Sequence, residues 1–185
     1  MIDLQQIDAT WTLFLDRDGV INVEKEDSYI LHYGEFTFYK GVPEALRHCA
    51  AVFGRIVIVT NQRGVGKGMM SVADLHEIHA RMSDEIARKG GRIDRIYFAD
   101  SLLDDHPLRK PQPGMALAAQ QEFPEIDLSR SLMIGNNLSD MEFGRNAGMH
   151  TIFLRTTDPG QPLPHPAIDM AFNSLADFAK HLRPA

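Results

Sequence analysis

A chain of 185 residues, 44% hydrophobic and 24% charged, carries enough apolar material for one globular unit, residues 1–185, with a sizeable core. A formal net charge of −6 without any run of Lys or Arg argues against a nucleic-acid-binding surface. The one cysteine, Cys49, excludes an internal disulfide and a cysteine-based zinc site and fits a reduced, cytoplasmic setting. No stretch reaches the ~18 apolar residues of a membrane span, and the N-terminus lacks the basic-then-apolar pattern of a signal peptide, so no membrane association is expected.

In chain order, 12–15 (TLFL) predicts a short buried strand. Residues 23–40 are polar and aromatic, with no period. The stretch 43–52 predicts a helix with Pro43 in its first turn, and 55–60 a second strand. The clearest helix spans 71–89: Ser71 and Asp74 have capping spacing, Leu75, Ile78, Met82 and Ile86 line one face, and Gly90-Gly91 ends it. A third strand is expected at 93–99, a helix at 113–123, a fourth strand at 132–134, a helix at 138–147 and a fifth strand at 151–154. A Pro-rich surface loop over 156–166 leads to a short strand at 170–172 and a closing helix to Leu182. This alternation predicts an α/β fold, a Rossmann-like parallel sheet flanked by helices on both faces. Ligands of such sheets bind beyond the carboxyl ends of the strands, so the residues after each apolar run are the candidate site.

Those residues form a coherent set. Asp16-Arg17-Asp18-Gly19 follows the first strand, and its carboxylates at i and i+2 point to one side of an extended chain. Thr60-Asn61 follows the second, Arg109-Lys110-Pro111 lies some way after the third, and Gly135-Asn136-Asn137-Leu138-Ser139-Asp140 follows the fourth. Carboxylates, a hydroxyl, a lysine and an amide suit phosphoryl transfer through an aspartyl-phosphate, with magnesium neutralising phosphate charge. The stretch "VTNQRGVGKG" is no P-loop: that pattern needs glycine where Asn61 stands and Ser or Thr where Gly68 stands.

With "FLDRDG", "VTNQ", "RKPQPGM" and "MIGNNLSDM" in this order, the chain resembles the haloacid dehalogenase (HAD) superfamily of phosphatases from Leu13 to about Ala176. The resemblance implies Asp16 as nucleophile, Asp18 as general acid/base, and Thr60 and Lys110 as ligands of the transferring phosphoryl group. It implies Mg2+ held by Asp16, the Asp18 backbone carbonyl and Asn136. "DRDGVIN", "TNQRGVGKG" and "RKPQPGM" look most like the subgroup of D-glycero-D-manno-heptose 1,7-bisphosphate phosphatases and histidinol-phosphatases. That implies a small phosphorylated sugar as partner, Arg109 in substrate recognition, and Asn61, Gln62 and Arg63 lining the site. The loop glycines are expected to let backbone approach the substrate. The segments 23–40 and 90–109 are too short for a large cap, and a monomer is expected.

Two departures stand out. The subgroup's zinc loop of three Cys and one His is absent from "FADSLLDDHPLRKP", where His106 stands alone, so no zinc is expected and packing is left to hold that loop. Asn136 replaces the subgroup's ligating Asp, which removes a charge from the magnesium site and leaves room for a catalytically weak binding domain as an alternative. A histidinol-phosphatase is a second alternative; a polynucleotide 3′-phosphatase is a third, disfavoured by the acidic balance. Asp140, at N3 of a helix capped by Asn137, either serves the helix terminus or orients Lys110 or a metal-bound water. Arg63 and Lys67 are either anion-binding or solvated loop charges, and His76 and His79 read as surface or packing residues.

Overall fold

Strand β1 (Thr12–Leu15) is buried at all four positions, which requires neighbours on both edges and both faces. The computed structural model, which describes residues 2–183, supplies them. Strand β1 pairs in parallel with β2 (Arg55–Asn61) and with β4 (Ser131–Gly135). Strand β3 (Arg95–Ala99) extends the sheet beyond β2, and β5 (His150–Leu154) and β6 (Met170–Phe172) extend it beyond β4. The resulting order, β3-β2-β1-β4-β5-β6, is that of a doubly wound Rossmann-like sheet. It reverses direction between β1 and β4, where such sheets open a crevice at their carboxyl ends.

Alternation along the strands sorts the core into two layers. Leu13, Leu15, Ile56, Ile58, Leu132 and Ile134 share one cluster with α1 (Val42–Val52), α3 (Val72–Arg88) and α6 (Leu175–Ala179). Phe14, Val57, Val59 and Met133 face the other way, onto α4 (Gly114–Glu122) and α5 (Leu138–Asn146). Helix α3 starts at a complete capping box of Ser71 and Asp74, and Leu75, Ile78, Met82 and Ile86 are buried as their spacing predicts. Helix α6 ends three residues before Leu182, and β3 begins two residues after Ile93. At the latter, Arg92 donates to the carbonyls of Ala50, Phe53 and Gly54, and Asp94 accepts from the Ile56 N–H, so side chains hold the approach to the strand.

A four-residue helix, α2 (Arg63–Gly66), was not expected; it turns the chain back immediately after β2. Residues 23–41 form a loop with one short 3-10 turn, Tyr33–Glu35, and no large cap domain occurs among the described residues. No helix among them is long and apolar enough to cross a membrane. Ile134 is wholly buried between β1 and β5, whereas Leu117 is 51% exposed on α4. In urea denaturation Ile134→Ala is expected to cost about 2–5 kcal/mol and Leu117→Ala less than about 0.5 kcal/mol.

Candidate active site

Parallel pairing brings the carboxyl ends of β1, β2 and β4 level, so the residues that follow them converge. At their centre Lys110 is 3% exposed, and its Nζ lies 2.9 Å from Asp16 Oδ1 and 2.6 Å from Asp140 Oδ1. A buried ammonium is tolerable only when paired, and two carboxylates pair this one. They raise its pKa against the opposing effect of burial. The other oxygen of Asp140 accepts the N–H groups of Asn136 and of Asn137, the N-cap residue of α5. Asp140 therefore does both jobs considered for it, capping the helix and orienting Lys110. The backbone of Lys110 is clamped by Asn61, whose carboxamide accepts from its N–H at 3.1 Å and donates to its carbonyl at 3.2 Å.

Asp16 Oδ1 also accepts the Arg17 N–H at 2.8 Å. Burial pushes the Asp16 carboxyl up to about 7, against the pull of Lys110, and the charges of Asp140 and Asp18 add to the rise. Asp18 goes the other way. Burial opposes its ionisation, but the Arg17 guanidinium and donors from Asn22 and Gln62 hold it below the usual carboxylate range. Arg17 is fully buried, with Nη2 2.9 Å from both oxygens of Asp18. Gln62 bridges Asp18 Oδ2 and Thr60 Oγ1, donating to each at 2.9 Å. Because Thr60 Oγ1 already accepts, its own proton is free to be donated.

Asp16, Asp18, Asn61, Gln62, Lys110 and Asp140 line one cavity. Thr60 lies buried next to it. The loop after β1 closes its other side with Glu24, Lys25, Ser28 and Tyr29, which the aperiodic stretch 23–40 gave no means of singling out. Asn136 is 2% exposed, and its carboxamide lies against Gly19, where a φ of +80° and a Cβ position about 2.1 Å from Asn136 Nδ2 exclude any side chain. Its Oδ1 is buried without a partner, and the Asp18 carbonyl has no backbone partner among the described residues. With the Asp16 carboxylate these are hard-oxygen donors of the kind Mg2+ takes, Asn136 itself standing behind the residues that line the cavity. Charge fits too: Asp16, Asp18, Asp140 and Glu24 outnumber Lys110, Lys25 and Arg17 around the cavity.

The HAD-hydrolase-like family model matches residues 107–178. The chain is 39% identical over 145 residues to a D-glycero-alpha-D-manno-heptose-1,7-bisphosphate 7-phosphatase of Campylobacter jejuni, covering 78% of this chain and 82% of the relative. It is 34% identical over 180 residues to a D-glycero-beta-D-manno-heptose-1,7-bisphosphate 7-phosphatase of Photorhabdus laumondii, covering 92% and 94%. The chain belongs to this phosphatase family of the HAD-like hydrolases. A solved relative, the D,D-heptose 1,7-bisphosphate phosphatase of B. bronchiseptica complexed with magnesium and phosphate, superposes with a TM-score of 0.83 at 27% identity, over 92% of this chain and 96% of the other.

In this HAD-like phosphatase the segment at the place of the zinc loop is held by charge, not by the packing expected from sequence. Leu102, Leu103 and Leu108 are exposed, while Asp104 Oδ1 lies 3.1 Å from Arg63 Nη2 and 3.4 Å from Arg109 Nε. Both arginines thus sit on Asp104 at the rim and do not line the cavity. His106 accepts the Leu108 N–H within its own turn, and no group of three or more His, Cys, Asp or Glu able to hold a metal occurs among the described residues. Two of the glycines after β2 also serve a purpose other than the expected one. A Cβ on Gly66 would lie 2.0 Å from the Asp100 carbonyl, and one on Gly64 3.2 Å from the Tyr29 ring, so these two admit other parts of the chain, whereas Gly68 has nothing within 4 Å. Lys67 lies over the same Tyr29 ring.

His79 is a packing residue with a polar task. A guanidinium has no acceptor, so His79 Nε2 accepts from Arg17 Nη1 at 3.2 Å. Burial first, then the Arg17 charge, lower its pKa from 6.5 to about 3. The unfolded chain therefore binds this proton between about pH 6.5 and 3 while the fold does not, and stability falls as pH drops through that window. His79→Gln keeps an acceptor and lacks the titration. Between pH 7 and 5, urea denaturation should show the wild type losing on the order of 2 kcal/mol more stability than this variant; parallel curves would mean that His79 is protonated in the fold.

Proposed function

We propose that this enzyme hydrolyses a phosphorylated sugar, D-glycero-D-manno-heptose 1,7-bisphosphate at its 7-phosphate, in a magnesium-dependent reaction through an aspartyl-phosphate on Asp16. The observation that carries the reading is the convergence of Asp16, Asp18 and Lys110 on one cavity, with Thr60 tied to Asp18 through Gln62, in a chain that superposes on a heptose bisphosphate phosphatase holding magnesium and phosphate. Lys110 and the Arg17 N–H fix the Asp16 carboxylate for attack on phosphorus. As the P–O ester bond breaks, Asp18 gives its proton to the departing alkoxide; it then takes one from the water that attacks the acyl phosphate, which releases phosphate and restores Asp16. Arg17, Asn22 and Gln62 hold Asp18 as the carboxylate needed for the second half, and a phosphate dianion entering beside it raises its proton affinity for the first. Lys110 and the Thr60 hydroxyl donate to the phosphoryl oxygens as charge builds on them. Asp16, the Asp18 carbonyl and Asn136 would hold Mg2+, which when bound would further neutralise that charge.

Arg63 and Arg109, once an anion competes with exposed Asp104, are the groups for the non-reacting phosphate, and Asn61 and Gln62 shape the floor. The reading takes the chain as a cytoplasmic monomer of one domain that uses neither zinc, nucleic acid nor membrane; the single buried Cys49 and the acidic balance support it. The test is phosphate release with Mg2+ from both anomers of the heptose bisphosphate, from histidinol phosphate and from a 3′-phosphorylated oligonucleotide. Preference for either of the last two overturns the substrate.

Asp16→Asn should lower turnover at least about 1000-fold and abolish the phosphoenzyme trapped by acid quench, while thermal melting stays cooperative. Retained turnover would remove Asp16 as nucleophile. Asn136→Asp adds charge to the metal site, so the magnesium concentration for half-maximal rate should fall roughly threefold or more. Coincident magnesium titrations of the two proteins would remove Asn136 as a ligand.

A further inference from the structure

An asparagine serves a cation only through its oxygen, and nothing in the carboxamide itself decides which end faces inward. Around Asn136 the surroundings decide it. Nδ2 donates to Glu24 Oε2 at 3.1 Å and to Thr157 Oγ1 at 2.8 Å. Both acceptors belong to exposed residues, Glu24 in the loop after β1 and Thr157 in the loop after β5. An ionised carboxylate accepts only, so it can face the NH2 end and repels the carbonyl end. With both Nδ2 hydrogens engaged, Oδ1 is left buried and without a partner, the face of the carboxamide lying on Gly19. The neighbouring Thr156 Oγ1 donates to the Gly19 carbonyl at 2.6 Å, so the loop after β5 grips both sides of this contact.

We infer that Glu24 and Thr157 are positioning residues that act through Asn136, presenting its oxygen to the metal, and that Glu24 supplies nearby the negative charge a neutral ligand lacks. The inference rests on the magnesium-dependent reading of the site. It gives the loop 23–33 a task that depends on which residue stands at 136. With Asp at 136 both side-chain oxygens are equivalent, no orientation is needed, and Glu24 faces a like charge.

The test is a double-mutant cycle read by Mn2+ binding, followed by electron paramagnetic resonance of the free ion with saturating inorganic phosphate and no substrate. Glu24→Gln should weaken Mn2+ binding about fivefold or more in the protein with Asn136. In the Asn136→Asp background the same change should stay within about twofold, because only a nearby charge is lost there, the two equivalent oxygens of Asp needing no orientation. Thr157→Val, which changes no charge, should weaken binding about threefold in the Asn136 protein; it also carries the test if Glu24→Gln does not fold. Equal losses from Glu24→Gln in both backgrounds, unchanged affinity in either single variant, or no Mn2+ uptake by the wild type overturns the inference. Failure to hydrolyse the heptose bisphosphate would instead overturn the substrate reading and leave the Mn2+ cycle unaffected.

Discussion

The ion triad of Asp140, Lys110 and Asp16 is the constraint on which the site depends. Three charges lie at or near full burial, and removing any one would strand the others in a medium that solvates them poorly. Each comes from a different part of the chain: the end of β1, the segment before α4 and the first turn of α5. The pairing therefore ties together elements that share no strand register. Asp140 passes the constraint on, since its second oxygen holds the N–H groups of Asn136 and Asn137 and so sets the turn that carries the Asn136 carboxamide. Asn61 passes it on in the other direction by clamping the Lys110 backbone.

Around this triad two neighbouring aspartates are shifted in opposite directions. Asp16 and Asp18 are two residues apart, yet burial raises one while the fully buried Arg17 and two neutral donors lower the other. A proton donor is ordinarily the carboxyl with the raised pKa and a nucleophile the one with the lowered, so these two shifts run opposite to the roles and do not assign them. Arg17 is in turn oriented by a neutral His79 from α3, so a helix on the far side of the sheet edge reaches the chemistry through one hydrogen bond.

The rim follows a different logic. Where the subgroup pattern implies a metal-bound loop, Asp104, itself exposed, gathers Arg63 and the largely buried Arg109, and an anion arriving from solvent competes directly with its carboxylate. A loop held this way is suited to yield its arginines to a substrate phosphate, whereas one fastened by packing would not.

Much of this was legible in the sequence. Periodicity and capping residues located every strand and all the longer helices, because burial on a sheet or against one helix face imposes a local repeat on the residue types. Residues at strand ends marked Asp16, Asp18, Thr60 and Lys110, because parallel strands bring their carboxyl ends to one edge whatever lies between them. What remained open were relations across the chain. No local pattern says that Glu24 and Thr157 meet at Asn136, that Asp104 holds two arginines, or that Gly66 faces the Asp100 carbonyl, since these residues lie in loops where neither period nor capping constrains the choice. His79 shares a buried helix face with apolar residues, and only the approach of Arg17 gives it a polar role. The sequence by itself determined which groups stand at the ends of the strands, because that follows from hydrophobic repeats along the chain. Only the tertiary structure decided their charge states and orientations, because those depend on burial and on partners brought from distant positions.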